Sequence, residues 1–105
     1  MQLLTKVLEK RFAKIGSQQN TKDPIVIAKF FNPTGIETWY ATEYEPEEKT
    51  FFGYASIYRD HCDEWGYFSL AELTSAKGKF GLGIERDLHC GEKKISEFDI
   101  PTLKA

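Results

Sequence analysis

Glu85-Arg86-Asp87 is the densest charged motif that this chain places in an expected strand. On extended backbone alternate side chains share a face, so Glu85 and Asp87 point together and Arg86 points away. Two carboxylates on one face can ligate a divalent cation or divide the roles of acid and base. Glu43 and the pair Asp63-Glu64 are the carboxylates that neighbouring strands would have to bring to them. The plainer reading is an exposed strand face, or an ion pair from Arg86 to another carboxylate, and it is the one preferred here.

Two His-Cys pairs, His61-Cys62 and His89-Cys90, supply nitrogen and sulfur groups of the kind that bind zinc tetrahedrally. Adjacent residues diverge on an extended chain, and the two-residue gap usual between paired ligands is missing. A Cys/His nucleophile lacks an evident third group to orient the base. Gly78-Lys79-Phe80-Gly81-Leu82-Gly83 superficially resembles a phosphate loop. It has no Gly-Lys-Ser/Thr ending and opens no helix, so it reads as a turn in which glycine supplies positive φ.

Aromatic residues are the richer signal. Trp39, Tyr40, Tyr44, Tyr54, Tyr58 and Trp65 fall in two dense runs, interleaved with Glu43, Asp63 and Glu64. Sheet aromatics can stack single-stranded bases, but that use normally comes with a basic groove, and here the neighbours are acidic. Aromatics also dominate protein–protein hot spots. The reading is divided between core and a protein-binding surface, with base stacking a lesser alternative. That surface would comprise Trp39, Tyr40, Glu43, Tyr44, Tyr54, Asp63, Glu64, Trp65, Glu85, Arg86 and Asp87.

These side chains need elements to position them. Leu4, Leu8, Phe12 and Ile15 recur at helical spacing opposite Lys6, Lys10, Arg11 and Lys14, which predicts an amphipathic helix capped by Thr5 and stopped at Gly16. Residues 17–24 read as a polar linker loop. Ile25–Phe31 reads as a strand buried on both faces. Residues 38–44 and 50–58 read as a hairpin joined by Glu45-Pro46-Glu47-Glu48-Lys49. Simple alternation puts Trp39 and Ala41 on one face, and Tyr40, Thr42 and Tyr44 on the other. Residues 59–65 read as a charged loop and 66–68 as a short strand. Ser69-Leu70-Ala71-Glu72 fits a capping box opening a short helix to Ala76, with Leu70 and Leu73 buried. Ile84–His89 reads as a last strand with Ile84 and Leu88 inward. The charged tail from Gly91 is expected to dock only loosely through Ile100-Pro101.

The chain's 105 residues, 41% hydrophobic and 14% aromatic, make one domain with a real core. Expected core residues are Leu8, Phe12, Val26, Ala28, Phe30, Trp39, Phe51, Ile57, Phe68, Leu73 and Ile84. The net charge is −2, so no global field draws the protein onto nucleic acid. Residues 25–76 carry three Lys/Arg against nine Asp/Glu, whereas residues 1–24 carry five against two. An acidic middle disfavours phosphate and suits a basic protein partner, or a face that mimics nucleic acid. The plainer reading is a solvated acidic loop. The basic helix face reads as solvated, with nucleic acid or an acidic partner as the alternative. No apolar stretch approaches a membrane span and no signal peptide is evident, so the expected location is the cytoplasm, with reduced thiols.

Asp23-Pro24-Ile25-Val26, Lys29-Phe30-Phe31, Thr38-Trp39-Tyr40, Thr42-Glu43-Tyr44, Phe51-Phe52-Gly53-Tyr54, Gly66-Tyr67-Phe68-Ser69-Leu70, Glu72-Leu73 and Ile84-Glu85-Arg86-Asp87-Leu88 occur in the order and spacing of one family. From Leu3 to about Glu97 the chain resembles the bacterial family catalogued as domain of unknown function 2958. The resemblance implies a small single-domain protein, often encoded on conjugative plasmids, integrating elements and phages. It implies no catalytic residue, and neither His-Cys pair belongs to its pattern.

The expected fold is α+β: an antiparallel sheet of four or five strands, the N-terminal helix and a short second helix. The expected function is non-enzymatic binding of a protein partner through the acidic–aromatic surface, without cofactor or metal. Inhibition of a host defence nuclease or restriction complex is the concrete version. The alternatives are a metal-dependent hydrolase or nuclease using Glu43, Glu85 and Asp87, and a nucleic-acid-binding module.

Overall fold

A computed structural model describes residues 2–57, 63–76 and 81–104. Tyr58, His61, Cys62 and residues 78–80 of the glycine-rich turn lie outside them. The helix α1 spans Lys6–Ile15. Thr5 caps it by accepting the Leu8 N–H, and Gly16 ends it at φ +70° with its N–H on the Phe12 carbonyl. A side chain at that φ would be strained, which is why the stop falls on glycine.

Strands β2 (Ala28–Phe31), β3 (Thr38–Glu45), β4 (Thr50–Ser56), β5 (Glu64–Ser69) and β6 (Glu85–Arg86) form one antiparallel sheet in the order β5-β4-β3-β2-β6. The helix α2 (Leu70–Ser75) follows β5 directly, and Ser69 caps it by accepting the Glu72 N–H. Strand β1 (Ile25–Val26) leaves this sheet to pair with β7 (Lys93–Lys94) near the C-terminus. A 3-10 turn (Ile95–Glu97) and a helical turn α3 (Pro101–Lys104) complete the chain. The fold is therefore α+β, as expected. Among the described residues no helix is long and apolar enough to cross a membrane.

One sheet face packs against α1. Leu8 and Phe12 from the helix, Phe30, Ala41, Phe51, Phe68 and Leu73 form a single buried cluster. Phe51 is its centre, with ring centroids 4.9 Å from Tyr44, 5.2 Å from Phe30, 5.6 Å from Phe68 and 5.8 Å from Phe12. Nine of the expected core residues are buried, while Trp39 and Ile57 are only partly so.

The expected single strand Ile25–Phe31 is divided between β1 and β2 in two different sheets, and three further expectations need correction. The first concerns the phase of β3. Its register against β4 shifts between Ala41 and Glu43, leaving Thr42 as the extra residue of a β-bulge. The bulge resets alternation, so Tyr44 joins Phe51 on the helix face instead of sharing a face with Tyr40. Thr42 is itself buried and donates its hydroxyl to the Phe52 carbonyl. Opposite the bulge, a Cβ on Gly53 would overlap the Tyr40 carbonyl, so only glycine fits the close approach.

The second correction concerns the tail. Ile95, Phe98 and Ile100 are buried against Val26, Tyr40 and Tyr54 on the far sheet face, forming a second core. The Asp23 carboxylate holds this strap by accepting from the Ser96 N–H and hydroxyl, and the Ile95 N–H donates to the Pro24 carbonyl. Those two bonds from Ser96, helped by Lys94, hold the Asp23 carboxyl below its ordinary pKa.

The third concerns the last strand. It stops after Arg86, because the Asp87 carboxylate turns back to accept the His89 N–H. Leu88 consequently faces outward and is exposed rather than inward.

Candidate functional site

Pairing carries the faces across the sheet. Tyr40 lies opposite Tyr54, and Tyr54 opposite Trp65; beside them Glu43 lies opposite Phe52, and Phe52 opposite Tyr67. All belong to the sheet face away from α1. The C-terminal strap covers only the first part of this face. Phe98 packs edge-on against Tyr40 at 5.2 Å, and both tyrosines are buried. Beyond the strap the aromatics are bare: Trp65 is 37% and Tyr67 75% exposed.

The bare patch is preorganised. Phe52 stacks on Trp65 at 6.0 Å and meets Tyr67 edge-on at 5.0 Å, while Trp65 meets buried Tyr54 edge-on at 5.5 Å. Rigid rings lose little entropy on contact, which is what makes aromatic clusters effective anchors. A cleft of about 340 Å³ opens beside them, lined by Glu43, Phe52, Trp65 and the loop residues Gln19, Thr21 and Lys22. No described residue bonds the Glu43 carboxylate, and Glu45, Glu47 and Glu48 are exposed further along β3 and its turn.

Gln18 fixes the loop that walls this cleft. Its buried amide exchanges both hydrogen bonds with Ile25, accepting the N–H at 2.7 Å and donating to the carbonyl at 2.9 Å. The second amide N–H reaches the carbonyl of bulge residue Thr42 at 2.7 Å. One side chain thus acts as a short strand, satisfying backbone groups at the point where the ladder is broken.

The structure separates the residues expected to form one binding surface. Glu43 and Trp65 lie at the bare patch, whereas Glu64, opposite Ala55, lies on the α1 side of the sheet. Tyr40 and Tyr54 are removed from it by burial under the strap. Trp39 and Tyr44 pack on the helix-side core. Burial and the nearby Glu9 and Glu45 carboxylates push the Tyr44 phenol above its ordinary pKa. Asp63 is buried and caps the start of β5's approach, accepting from the Ser56 hydroxyl at 3.0 Å and the Ile57 N–H at 2.9 Å. Arg86 donates to the carbonyls of Gln2 and Leu3, tying down the N-terminal segment.

Glu85 and Asp87 do share a face, on a separate open cleft of about 450 Å³ at the β2–β6 edge. Asp87 pairs there with Lys29 at 3.7 Å. Glu85 lies opposite Phe31, and Phe31 opposite Thr38, so Glu43 sits five positions further along β3. At a strand rise of about 3.3 Å per residue that is roughly 16 Å. The three carboxylates do not converge, and among the described residues no group of three His, Cys, Asp or Glu is placed to hold a metal. Burial and Asp87 push the Cys90 thiol up, the direction opposite to an activated nucleophile.

Phe52 and Tyr67 were not among the expected site residues, nor was the Gln18–Lys22 loop. Alternation from Trp65 was enough to find Tyr67; nothing in the polar run Ser17-Gln18-Gln19-Asn20 singled out Gln18.

Fold and surface together define a small α+β domain with one helix-covered sheet face and a partly strapped opposite face, ending in an aromatic patch rimmed by carboxylates. The chain belongs to the family described as Protein of unknown function (DUF2958), whose model matches residues 3–100. Neither the curated proteins nor the solved structures give a match.

Proposed function

We propose that this chain is a non-enzymatic binding protein of a mobile genetic element, acting in the cytoplasm on a basic protein partner. The observation that carries the reading is the cluster of half-buried Phe52 with exposed Trp65 and Tyr67, with Glu43 and Glu45 on the same sheet face. Large exposed aromatics held in fixed mutual geometry suit a hot spot, and the surrounding carboxylates select a cationic counterpart. The same carboxylates oppose a nucleic-acid ligand at this patch. A basic nucleic-acid groove on a host defence nuclease or restriction complex is the concrete partner, which the acidic surface would occupy in competition with its substrate.

Affinity purification of the tagged chain from a host lysate, with mass spectrometry, tests this. The expected result is a stoichiometric basic partner that is lost with Trp65→Ala/Tyr67→Ala. A partner retained in full by that double variant, or none with the defence systems expressed, overturns the reading.

A further inference from the structure

Strand β5 is the outer strand of the sheet, paired on one side by β4 and, among the described residues, on the other by nothing. Its pairing phase is fixed. The Leu70 N–H donates to the Lys49 carbonyl at 3.0 Å, just beyond the Thr50–Ser69 pair. Antiparallel ladders alternate, so Phe68, Gly66 and Glu64 turn their backbone groups toward β4. Trp65 and Tyr67 then turn their N–H and C=O outward, and the side chains of both are exposed.

Edges of this kind are normally guarded by Lys, Pro, a bulge or brevity. The opposite edge follows that rule: β6 is two residues long and is ended by the Asp87 turn. The six residues of β5, Glu64-Trp65-Gly66-Tyr67-Phe68-Ser69, contain neither Lys nor Pro, and the space a Cβ on Gly66 would occupy is open.

We propose that β5 receives an extended cationic segment of a protein partner as a sixth, added strand. This rests on the acidic–aromatic reading above and specifies how that surface is engaged. Main-chain bonds to Trp65 and Tyr67 supply the affinity, and alternate side chains supply the choice. On one face the incoming side chains lie beside the Trp65 and Tyr67 rings, where Lys or Arg gains a cation–π contact. On the other they lie beside the exposed Glu64 carboxylate. A second copy of this chain fits less well, because residues 25–76 carry nine acidic against three basic side chains and two copies would bring like charge to like.

The test is amide hydrogen exchange by NMR on the full chain, alone and with alternating peptides of four Lys-Val or four Glu-Val repeats. In the free protein the Trp65 and Tyr67 amides should exchange fast and those of Gly66 and Phe68 slowly. Saturating Lys-Val peptide should slow Trp65 and Tyr67 about tenfold or more, with Glu-Val peptide inert. Tyr67→Pro should abolish this binding while Gly66 stays protected, since proline removes only an outward N–H. Should that variant not fold, Tyr67→Val, which keeps the N–H, should still show the slowing at Trp65. Trp65 and Tyr67 amides already protected in the free protein would overturn the proposal. So would peptide binding that leaves them unslowed, although the acidic–aromatic patch would then still stand as a binding surface. Binding by neither peptide overturns the added strand, and only the lysate experiment then decides the broader reading.

Discussion

Tyr54 and Tyr67 sit on the same face of the same sheet, on adjacent strands, yet one is 4% and the other 75% exposed. Residue type does not account for the difference, and the outer position of β5 accounts for only part of it. What separates them is where the C-terminal strap stops: Ile95, Phe98 and Ile100 close over Tyr40 and Tyr54, and nothing described closes over Phe52, Trp65 and Tyr67. A half-covered face has one part committed to stability and another left open. The comparison assigns the roles of its aromatics by position relative to the cover.

The sharpest break of this comparison lies on the helix side, where the face is fully committed. Phe51→Ala removes the ring at the centre of four aromatic contacts and should destabilise the fold by about 3–5 kcal/mol, read by denaturant unfolding. Gln18→Ala leaves the Ile25 N–H, the part-buried Ile25 carbonyl and the buried Thr42 carbonyl without this partner and should cost roughly 2–3 kcal/mol. It should also loosen the wall beside Glu43, visible as faster amide exchange at Ile25. Tyr67→Ala, by contrast, should change stability by no more than about 0.5 kcal/mol while weakening capture of the basic partner. A large stability loss there would mean that the bare half is core after all.

The smallest effect concerns the strap's anchor. Asp23 has a folded pKa below its ordinary value, so its contribution is present above about pH 3.8 and is lost as pH falls through the lower, folded value. Asp23→Asn should flatten the acid limb of the stability profile below that pH and leave the neutral region nearly unchanged. An acid limb identical to the wild type would show that the Ser96 bonds do not hold the strap.

The helix-side half was the more legible in the sequence. Leu8 and Phe12 at helical spacing, the Thr5 cap and the Gly16 stop declared α1, and the long runs around Trp39 and Phe51 declared the central hairpin. The strap was hidden because Ile95, Phe98 and Ile100 stand singly among Lys93, Lys94, Glu97 and Asp99. They follow a 3-10 turn and bends, so neither a helical nor a strand period links them. The bulge was hidden for a related reason. Alternation is a rule about paired strands, and one extra residue at Thr42 reverses it downstream without changing composition. That reversal moved Tyr44 into the core. Burial of Tyr40 and Tyr54 came from a partner segment far along the chain. Of the expected surface residues, the structure brings Glu43 and Trp65 together on the bare stretch of the sheet and places most of the others in the two cores, on the opposite face or at the β6 edge.

The strap's anchor also has a consequence in time. Asp23 and Ser96 are 73 residues apart, and every strand of the five-stranded sheet lies between them in the chain, so the bond between them forms only after all of those strands have been synthesised. During synthesis the sheet and α1 can assemble while the final segment is still within the ribosome. Until it emerges, Tyr40 and Tyr54 extend the strip of Phe52, Trp65 and Tyr67 into one continuous sticky ribbon beside an open strand edge. On this order of synthesis a nascent chain would be more adhesive than the folded domain until Ile95, Phe98 and Ile100 close over the two tyrosines.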